Sequence, residues 1–370
     1  MNPTRVVSVA GARPNFMKIA PLAEECRRHR DIAHIIVHTG QHYDESMSRV
    51  FFDELGIPRP DFNLEVGSQE REAQIRTVME RFEPVVREER PDVVIVVGDV
   101  NSTVACARVA RRHGVRVAHV EAGLRSFDLS MPEEHNRVET DELSDYLFVT
   151  EPSGMQNLAA EGVRGKAFLV GNVMIDTLVR HLAVAEQSRV LETLGVRAAG
   201  YIAATFHRPS NVDEPGSLGR LIDTLRALCA RLPVVLPLHP RTRSRAMSYG
   251  LLEALVTLPG LILTEPLGYL DFLGLVRHSC VVVTDSGGIQ EETTYLGVPC
   301  LTMRENTERP ITVEVGSNVL VGGDRGLLLR RVDDVLAGRF KRGRVPELWD
   351  GRTARRIVET IRSELGCAGG

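Results

Sequence analysis

Residues 91–103 read PDVVIVVGDVNST, and this stretch decides the fold. Val93, Val94, Ile95, Val96 and Val97 are apolar and β-branched at every position, not at alternate ones. A strand with one wet face alternates. A strand apolar on both faces is covered on both, as in a parallel sheet sandwiched between helices. The run stops at Gly98-Asp99, and an amphipathic stretch at 103–112 comes after it. Outward from this core, the spacing predicts strands over 5–10, 33–38, 115–120 and 146–149. Helices are predicted over 17–28 and 70–89; in the first, Ile19, Ala20, Leu22, Ala23 and Cys26 recur at helical spacing. Strand and helix alternate, which predicts an α/β, doubly wound sheet.

A second series begins after Gly171-Asn172. Its predicted strands are 201–205, 234–238, 261–264, 281–284 and 300–303, separated by helices at 218–231, 269–277 and 288–296. The 370 residues exceed what one core usually holds. Two domains are therefore expected, 1–172 and 173–352, joined by a helix over 176–193. A terminal helix over 353–365 comes after the break at 346–351. No internal repeat or low-complexity segment is present.

Composition narrows the function. Hydrophobic residues make up 43% and charged residues 25%, with a formal charge of −4. There is no basic excess to suit nucleic acid or an anionic membrane. Arg13 interrupts the first apolar run before a signal-peptide core could form, and no stretch approaches the ~18 apolar residues of a membrane span. Six cysteines are scattered without a CxxC pair, and are expected as buried thiols in a reducing cytoplasm.

In doubly wound sheets, ligands sit beyond the carboxyl ends of the strands. The residues at the carboxyl end of each predicted strand are therefore informative. After the first strand come Gly11-Ala12-Arg13-Pro14 and then Lys18; after VVIVV, Gly98-Asp99; after VAHV, Glu121. In the second half, Phe206-His207-Arg208 comes after the first strand and Asp285-Ser286-Gly287-Gly288 after the fourth. Two such edges facing across a cleft would make one active site. Gly11-Ala-Arg-Pro lacks the GxGxxG spacing of a dinucleotide fingerprint. Arg13 and Lys18 suit a diphosphate, or are a solvated pair near a turn. Ser286-Gly287-Gly288 opens a helix and suits an anion on its free N–H groups, with Glu291 or Glu292 placed for ribose hydroxyls; the alternative is an ordinary N-cap with solvated glutamates. Asp99 is an acid/base candidate or a helix cap, and Glu121 an acid/base candidate or a loop ion pair. Glu133 and Arg137, four apart after Pro132, share a helix face as site residues or as a surface pair. His207 beside Arg208 suits phosphate or acid/base work, or is structural. His239 reads equally as a core or loop residue. No His/Cys/Asp cluster has metal-ligand spacing, so neither a metal nor a cofactor is expected.

Taken together, nine segments resemble the non-hydrolysing UDP-N-acetylglucosamine 2-epimerase family. They are GARPNFMKIAPL, TGQHYD, GDVNST, VEAGLRS, MPEEHNR, GNVMIDT, FHRPSNVD, TDSGGIQEE and TERP, in family order from Gly11 to Pro310. The resemblance implies two Rossmann-like domains in the GT-B arrangement, residues 353–370 packing back on the first domain, and a homodimer. It implies that Asp99, Glu121, Glu133 and His207 are catalytic. It implies that Arg13, Lys18, Arg137, Arg208, Phe272, Ser286, Gly287, Gly288, Glu292 and Arg309 bind a UDP-sugar. Asp44 and Pro209 depart from the family branch activated by its own substrate, which argues against a second, activating sugar-nucleotide site. GARP in place of GTRP also occurs in relatives acting on diacetamido sugars.

The implied chemistry is demanding. The C2 proton of an N-acetylhexosamine has no adjacent carbonyl to acidify it. Elimination solves this: a base takes the proton as the C1–O bond to UDP breaks, leaving 2-acetamidoglucal, and UDP re-adds with protonation of the opposite face. This route needs acid/base groups on both faces and cations for the departing diphosphate. Crowding among Asp99, Glu121 and Glu133 is expected to divide those roles. The rival readings are a 2-epimerase of a UDP-diacetamido sugar, a GT-B glycosyltransferase, a catalytically dead sugar-nucleotide sensor and a hydrolysing epimerase.

Overall fold

The computed structural model describes residues 3–40 and 55–366, and of Arg13 the backbone alone. The chain forms two units, one of Met1–Arg180 with Glu347–Gly370 and one of His181–Pro346. The division falls inside the helix Val173–Ala185.

The first unit carries a seven-stranded sheet. Its strands are β1 (Thr4–Ala10), β2 (Ile32–His38), β3 (Phe62–Asn63), β4 (Val93–Val97), β5 (Arg116–Ala122), β6 (Tyr146–Val149) and β7 (Lys166–Leu169), in the order β3-β2-β1-β4-β5-β6-β7. Every pairing is parallel. All five residues of β4 are buried, because helices cover both faces. Helices Arg71–Glu89 and Asn101–Arg112 close one face with Ile75, Val78, Phe82, Val104 and Val109. The strand order reverses between β1 and β4, where a doubly wound sheet opens a crevice at its carboxyl edge.

The second unit repeats the plan with six strands. They are β8 (Ile202–Thr205), β9 (Val234–Pro237), β10 (Leu261–Thr264), β11 (Val281–Thr284), β12 (Cys300–Thr302) and β13 (Asn318–Leu320), ordered β10-β9-β8-β11-β12-β13 and again all parallel. The reversal lies between β8 and β11. Its core gathers Phe206, Leu218, Leu225, Leu236 and Val283.

The segment after Pro346 completes the first unit. Trp349 is 1% exposed and its Nε1 donates to the Thr150 carbonyl at 3.3 Å. Asp176 accepts from the Thr353 and Ala354 N–H groups at 3.1 and 2.7 Å, capping the helix Thr353–Glu364. Arg362 pairs with Asp31 at 2.7 Å.

Three sequence expectations need correction. The helix expected over 176–193 is broken. Val173–Ala185 ends, and Val190–Leu194 begins after Ser188, whose hydroxyl accepts from Val190 N and donates to Asp271. Strands β3, β7 and β13 were not expected; two are two or three residues long, and β7 is an edge strand without buried alternation. Of the thiols expected to be buried, Cys229 and Cys280 are only half-buried and Cys367 lies outside the described residues.

Candidate active site

In the first unit the residues collect where β1, β4 and β5 end. Gly98 comes directly after β4 with φ +68°, and a Cβ there would stand 3.3 Å from Lys18 Nζ and 3.5 Å from a Glu121 oxygen. Glycine is needed both for the backbone and for the space. Lys18, in the second turn of helix Arg13–Arg27, donates from Nζ to Glu121 Oε2 at 2.5 Å; both residues are buried. Glu121 sits at a β-bulge, where the β5–β6 register shifts, with φ +72°. Bulges and positive φ at a non-glycine residue re-aim a side chain at an energetic cost and cluster at functional sites. Glu121 Oε1 is buried with no hydrogen-bond partner. One carboxylate oxygen is thus held by a cation and the other is left for chemistry. Asn15 fixes the turn below: its Oδ1 accepts from Gly11 and Ala12 N–H, and its Nδ2 donates to the Val97 carbonyl.

Asp99, partly exposed, pairs with Arg137 from helix Pro132–Leu143. The second Arg137 partner is Glu134, at 2.6 Å, not Glu133. Of the two readings given to Glu133 and Arg137, the surface pair gives way to this Arg137–Glu134 pair. Both glutamates are within one turn of Arg137, and packing selects the one facing inward. Glu134 also accepts from the N–H of Ser126 and Phe127 and from the Ser126 hydroxyl. Glu133 is exposed. Asp99 and Glu121 each stand in an ion pair, with Arg137 and Lys18 respectively. Arg13 opens its helix, and its side chain lies outside the described residues, as do Gln41, His42 and Asp44.

Behind these residues lies a network that sequence reasoning missed. His119 in β5 places Nδ1 2.7 Å from Asp141 Oδ1 and Nε2 2.9 Å from the Gly98 carbonyl, all of it buried. Asp141 also accepts from Gly123 N–H and pairs with Arg125 at 2.8 Å. Burial pushes the Asp141 carboxyl up, but His119 and Arg125 outweigh it and hold the group below its usual range. The signal was present: a histidine between the apolar residues of VAHV, in a strand read as covered on both faces, requires a polar partner.

In the second unit, Asp285 comes directly after β11 and is fully buried. Its oxygens accept from His207 N–H at 3.1 Å, Arg208 N–H at 3.0 Å and Asn211 Nδ2 at 2.9 Å, with His207 Nδ1 3.2 Å away. Burial raises this carboxyl, and the bonds from the His207–Asn211 segment more than reverse that, leaving it below its usual range. Ser286 precedes helix Gly287–Leu296 as N-cap without making a side-chain capping bond, and nothing lies within 4 Å of a Cβ built at Gly288. The N-terminus of this helix is therefore left to an anion. Arg309 approaches Gly287 closely enough that a Cβ there would meet its Nη1 at 2.8 Å. Arg309 is itself paired with Glu308 at 2.5 Å and Glu291 at 2.7 Å. Glu291, considered for a ribose role, is thus buried in an ion pair with Arg309. Glu292 is buried, and burial, helped by nearby Glu291, pushes its carboxyl up to about 7, with neighbouring Tyr269 opposing the shift. Phe272 is half-buried against the core around Tyr201 and Leu275. His239 caps helix Pro240–Ser248 by accepting from Arg241 N–H, with its ring 5.0 Å from that of His207. Pro209 opens the short helix Pro209–Val212.

Among the described residues no group of three or more His, Cys, Asp and Glu side chains is arranged to hold a metal, and no helix is long and apolar enough to cross a membrane.

Residues 24–362 match the family described as UDP-N-acetylglucosamine 2-epimerase. The chain is similar to the UDP-N-acetylglucosamine 2-epimerase of Methanocaldococcus jannaschii, with 39% identity over 359 residues, 95% of this chain and 97% of that one. It is also similar to the UDP-2,3-diacetamido-2,3-dideoxy-D-glucuronate 2-epimerase of Pseudomonas aeruginosa, with 40% identity over 328 residues, 88% of this chain and 90% of that one. The crystal structure of the Methanocaldococcus jannaschii UDP-GlcNAc 2-epimerase in complex with UDP-GlcNAc and UDP matches with a TM-score of 0.90 at 38% identity, covering 97% of this chain and 100% of that one. The fold class is that of these two-domain, GT-B-like proteins.

Proposed function

The chain belongs to the UDP-N-acetylglucosamine 2-epimerase family, and from that premise we propose that it reversibly converts UDP-N-acetylglucosamine to UDP-N-acetylmannosamine. The observation that carries the mechanism is Glu121, buried on a bulge with one oxygen on Lys18 and the other unpartnered. A carboxylate in that state can exchange a proton with a carbon placed beside it.

The route is elimination and re-addition. A carboxylate takes the C2 proton, the C1–O bond breaks, and the electron pair of the C2–H bond becomes the C1–C2 double bond of 2-acetamidoglucal. UDP leaves with the C1–O electrons. Return of UDP to C1, with a proton delivered to the other face of C2, completes the inversion. Asp99, Glu121 and Glu133 are the acid/base groups, and His207 assists at the nucleotide side. Lys18, Arg13, Arg137 and Arg208 stabilise the diphosphate charge. The open N-terminus at Ser286–Gly288 and the Glu292 carboxylate hold the nucleotide, with Phe272 near the base and Arg309 supporting the turn. The reading includes a homodimer in the cytoplasm, serving the synthesis of cell-surface polysaccharide. Light scattering of the purified protein checks the dimer.

Incubation with UDP-N-acetylglucosamine in D2O is expected to give UDP-N-acetylmannosamine carrying deuterium at C2, and activity is expected to persist in EDTA. Proton NMR tracks both. Retention of the C2 proton throughout turnover would rule elimination out. No product without an acceptor sugar would point to a glycosyltransferase instead.

A second substrate calls for the same assay. Identity to the diacetamido-glucuronate enzyme, 40%, is close to that to the N-acetylglucosamine enzyme, 39%. Competition between the two sugar nucleotides, read as relative kcat/KM, assigns the substrate.

Glu292 makes nucleotide binding depend on pH. Ribose hydroxyls donate to a carboxylate, whereas a carboxyl pushed up to about 7 is protonated below that pH. UDP affinity is therefore expected to fall by up to about tenfold per unit as pH drops below 7, one proton being displaced per nucleotide bound. Calorimetry against pH measures this. In Glu292→Gln, binding is weaker and that slope is lost; an unchanged slope would assign the proton to another group.

A further inference from the structure

The second unit holds a cavity of about 610 Å³ that none of the residues assigned to the sugar nucleotide lines. It lies at the carboxyl edge of β8, β12 and β13, beside helices Pro215–Cys229 and Arg325–Leu336. Three cations line it: Arg220, Arg304 and Arg325. Two acids line it as well, but both are occupied. Asp223 pairs with Arg226 at 2.5 Å, and Glu305 accepts from Gly323 N–H at 3.1 Å. Among the described residues neither Arg220 nor Arg325 has a carboxylate partner; Arg220 donates only to the Ser217 hydroxyl, at 2.8 Å.

Arg304 is the decisive residue. It is the second residue beyond β12 and is only 7% exposed. Its Nη2 is held by Glu308 at 2.8 Å, while its Nη1 is buried with no hydrogen-bond partner. A buried guanidinium donor without an acceptor is costly, and a protein retains such a group where something else supplies the acceptor. Planar guanidinium groups favour oxyanions with several acceptor atoms. The cavity is wide enough, cationic in balance and built on strand ends.

We infer that this cavity binds a phosphate-sized oxyanion, either free inorganic phosphate or the phosphoryl group of an organic ester, as a site separate from the nucleotide turn at Ser286–Gly288. The anion accepts from Arg304, with Arg220 and Arg325 closing over it from the two helices.

The test is calorimetry on the full-length protein saturated with UDP, so that the nucleotide turn is already filled. Inorganic phosphate and glucose 6-phosphate are titrated separately. One further equivalent of phosphate is expected to bind per chain. The double variant Arg220→Gln/Arg325→Gln, altered only on exposed side chains, is expected to lose about tenfold or more of that affinity, since each charge-assisted bond removed is a strong one. Its UDP affinity is expected to be unchanged. Binding of phosphate alone assigns the free ion, and binding of glucose 6-phosphate as well assigns the ester. Absence of binding of either at millimolar concentration overturns the site, as does equal binding by wild type and double variant. Should UDP itself fail to bind, the functional reading fails; the same phosphate titration of the UDP-free pair of proteins still decides this one.

Discussion

Glu121→Gln is expected to lower kcat by about 10²–10⁴ while UDP affinity stays within a factor of two or so, the range that a single general acid/base group contributes. The substitution keeps the shape of the side chain and its seat on the bulge, so the loss reports proton chemistry. Two features make the expectation sharp. The Lys18 Nζ contact occupies Oε2, and Glu121 Oε1 has no partner to compete with a reacting proton. Ser286–Gly288, Glu292 and Phe272, proposed to hold the nucleoside end, belong to the second unit, and the Gln amide keeps an oxygen for Lys18, so the loss is expected in kcat more than in UDP binding. Asp99→Asn is expected to behave in the same way, since Asp99 sits next to Gly98 and against Arg137. Steady-state kinetics and UDP calorimetry on each variant provide the check. A fully active Glu121→Gln enzyme would reassign the Lys18–Glu121 pair to structure and move the proton transfer to Asp99 or Glu133.

Asp285→Ala is expected to cost about 3–5 kcal/mol of stability and to abolish UDP binding. That is the usual result of removing one member of a buried, hydrogen-bonded charged set and leaving the others unpaired. Here the abandoned donors are the N–H groups of His207 and Arg208 and the Asn211 amide. The same carboxylate joins the His207–Asn211 segment to the start of the nucleotide turn, so both shift together. The pH dependence has a definite sign. The folded value lies below the ordinary 3.8, so this stabilisation is complete above 3.8 and is lost as pH falls through the lower, folded value. Urea unfolding of wild type and variant is therefore expected to show a constant gap from neutral pH down to about 4, closing only under stronger acid. A gap that closes between pH 6 and 5 would mean another group carries the effect.

Much of the fold was legible because both sheets advertise themselves. β4 has no polar position to place on a wet face, and polar residues stand at or just beyond the ends of β4, β5 and β11, as Asp99, Glu121 and Asp285. The candidate site was legible to the same depth, as separate residues at strand ends. What was not legible is pairing. Lys18 meets Glu121 across 103 positions, and His207 meets Asp285 across 78, distances over which no periodicity runs. Arg137 had two glutamates within one helical turn, and only the packed structure distinguishes Glu134, facing Ser126, from the exposed Glu133. Asp285 read as the first letter of a glycine turn, although its own role is to hold the preceding loop. The break after Ala185 depended on a contact from Ser188 to Asp271, again remote in sequence.

The segment after Pro346, which seats Trp349 and is capped by Asp176, sets an order of events during synthesis. The second unit is continuous, and every residue of it has been translated before that segment emerges. The first unit begins earlier yet still lacks one wall. At about 5–20 residues per second, the interval is roughly ten to thirty seconds. Throughout it, the apolar seats of Trp349 and of Ile357, Val358 and Ile361 stand uncovered on the nascent chain. The half of the protein made second is thus the half that can finish folding first. The other half is completed only when the chain returns to it.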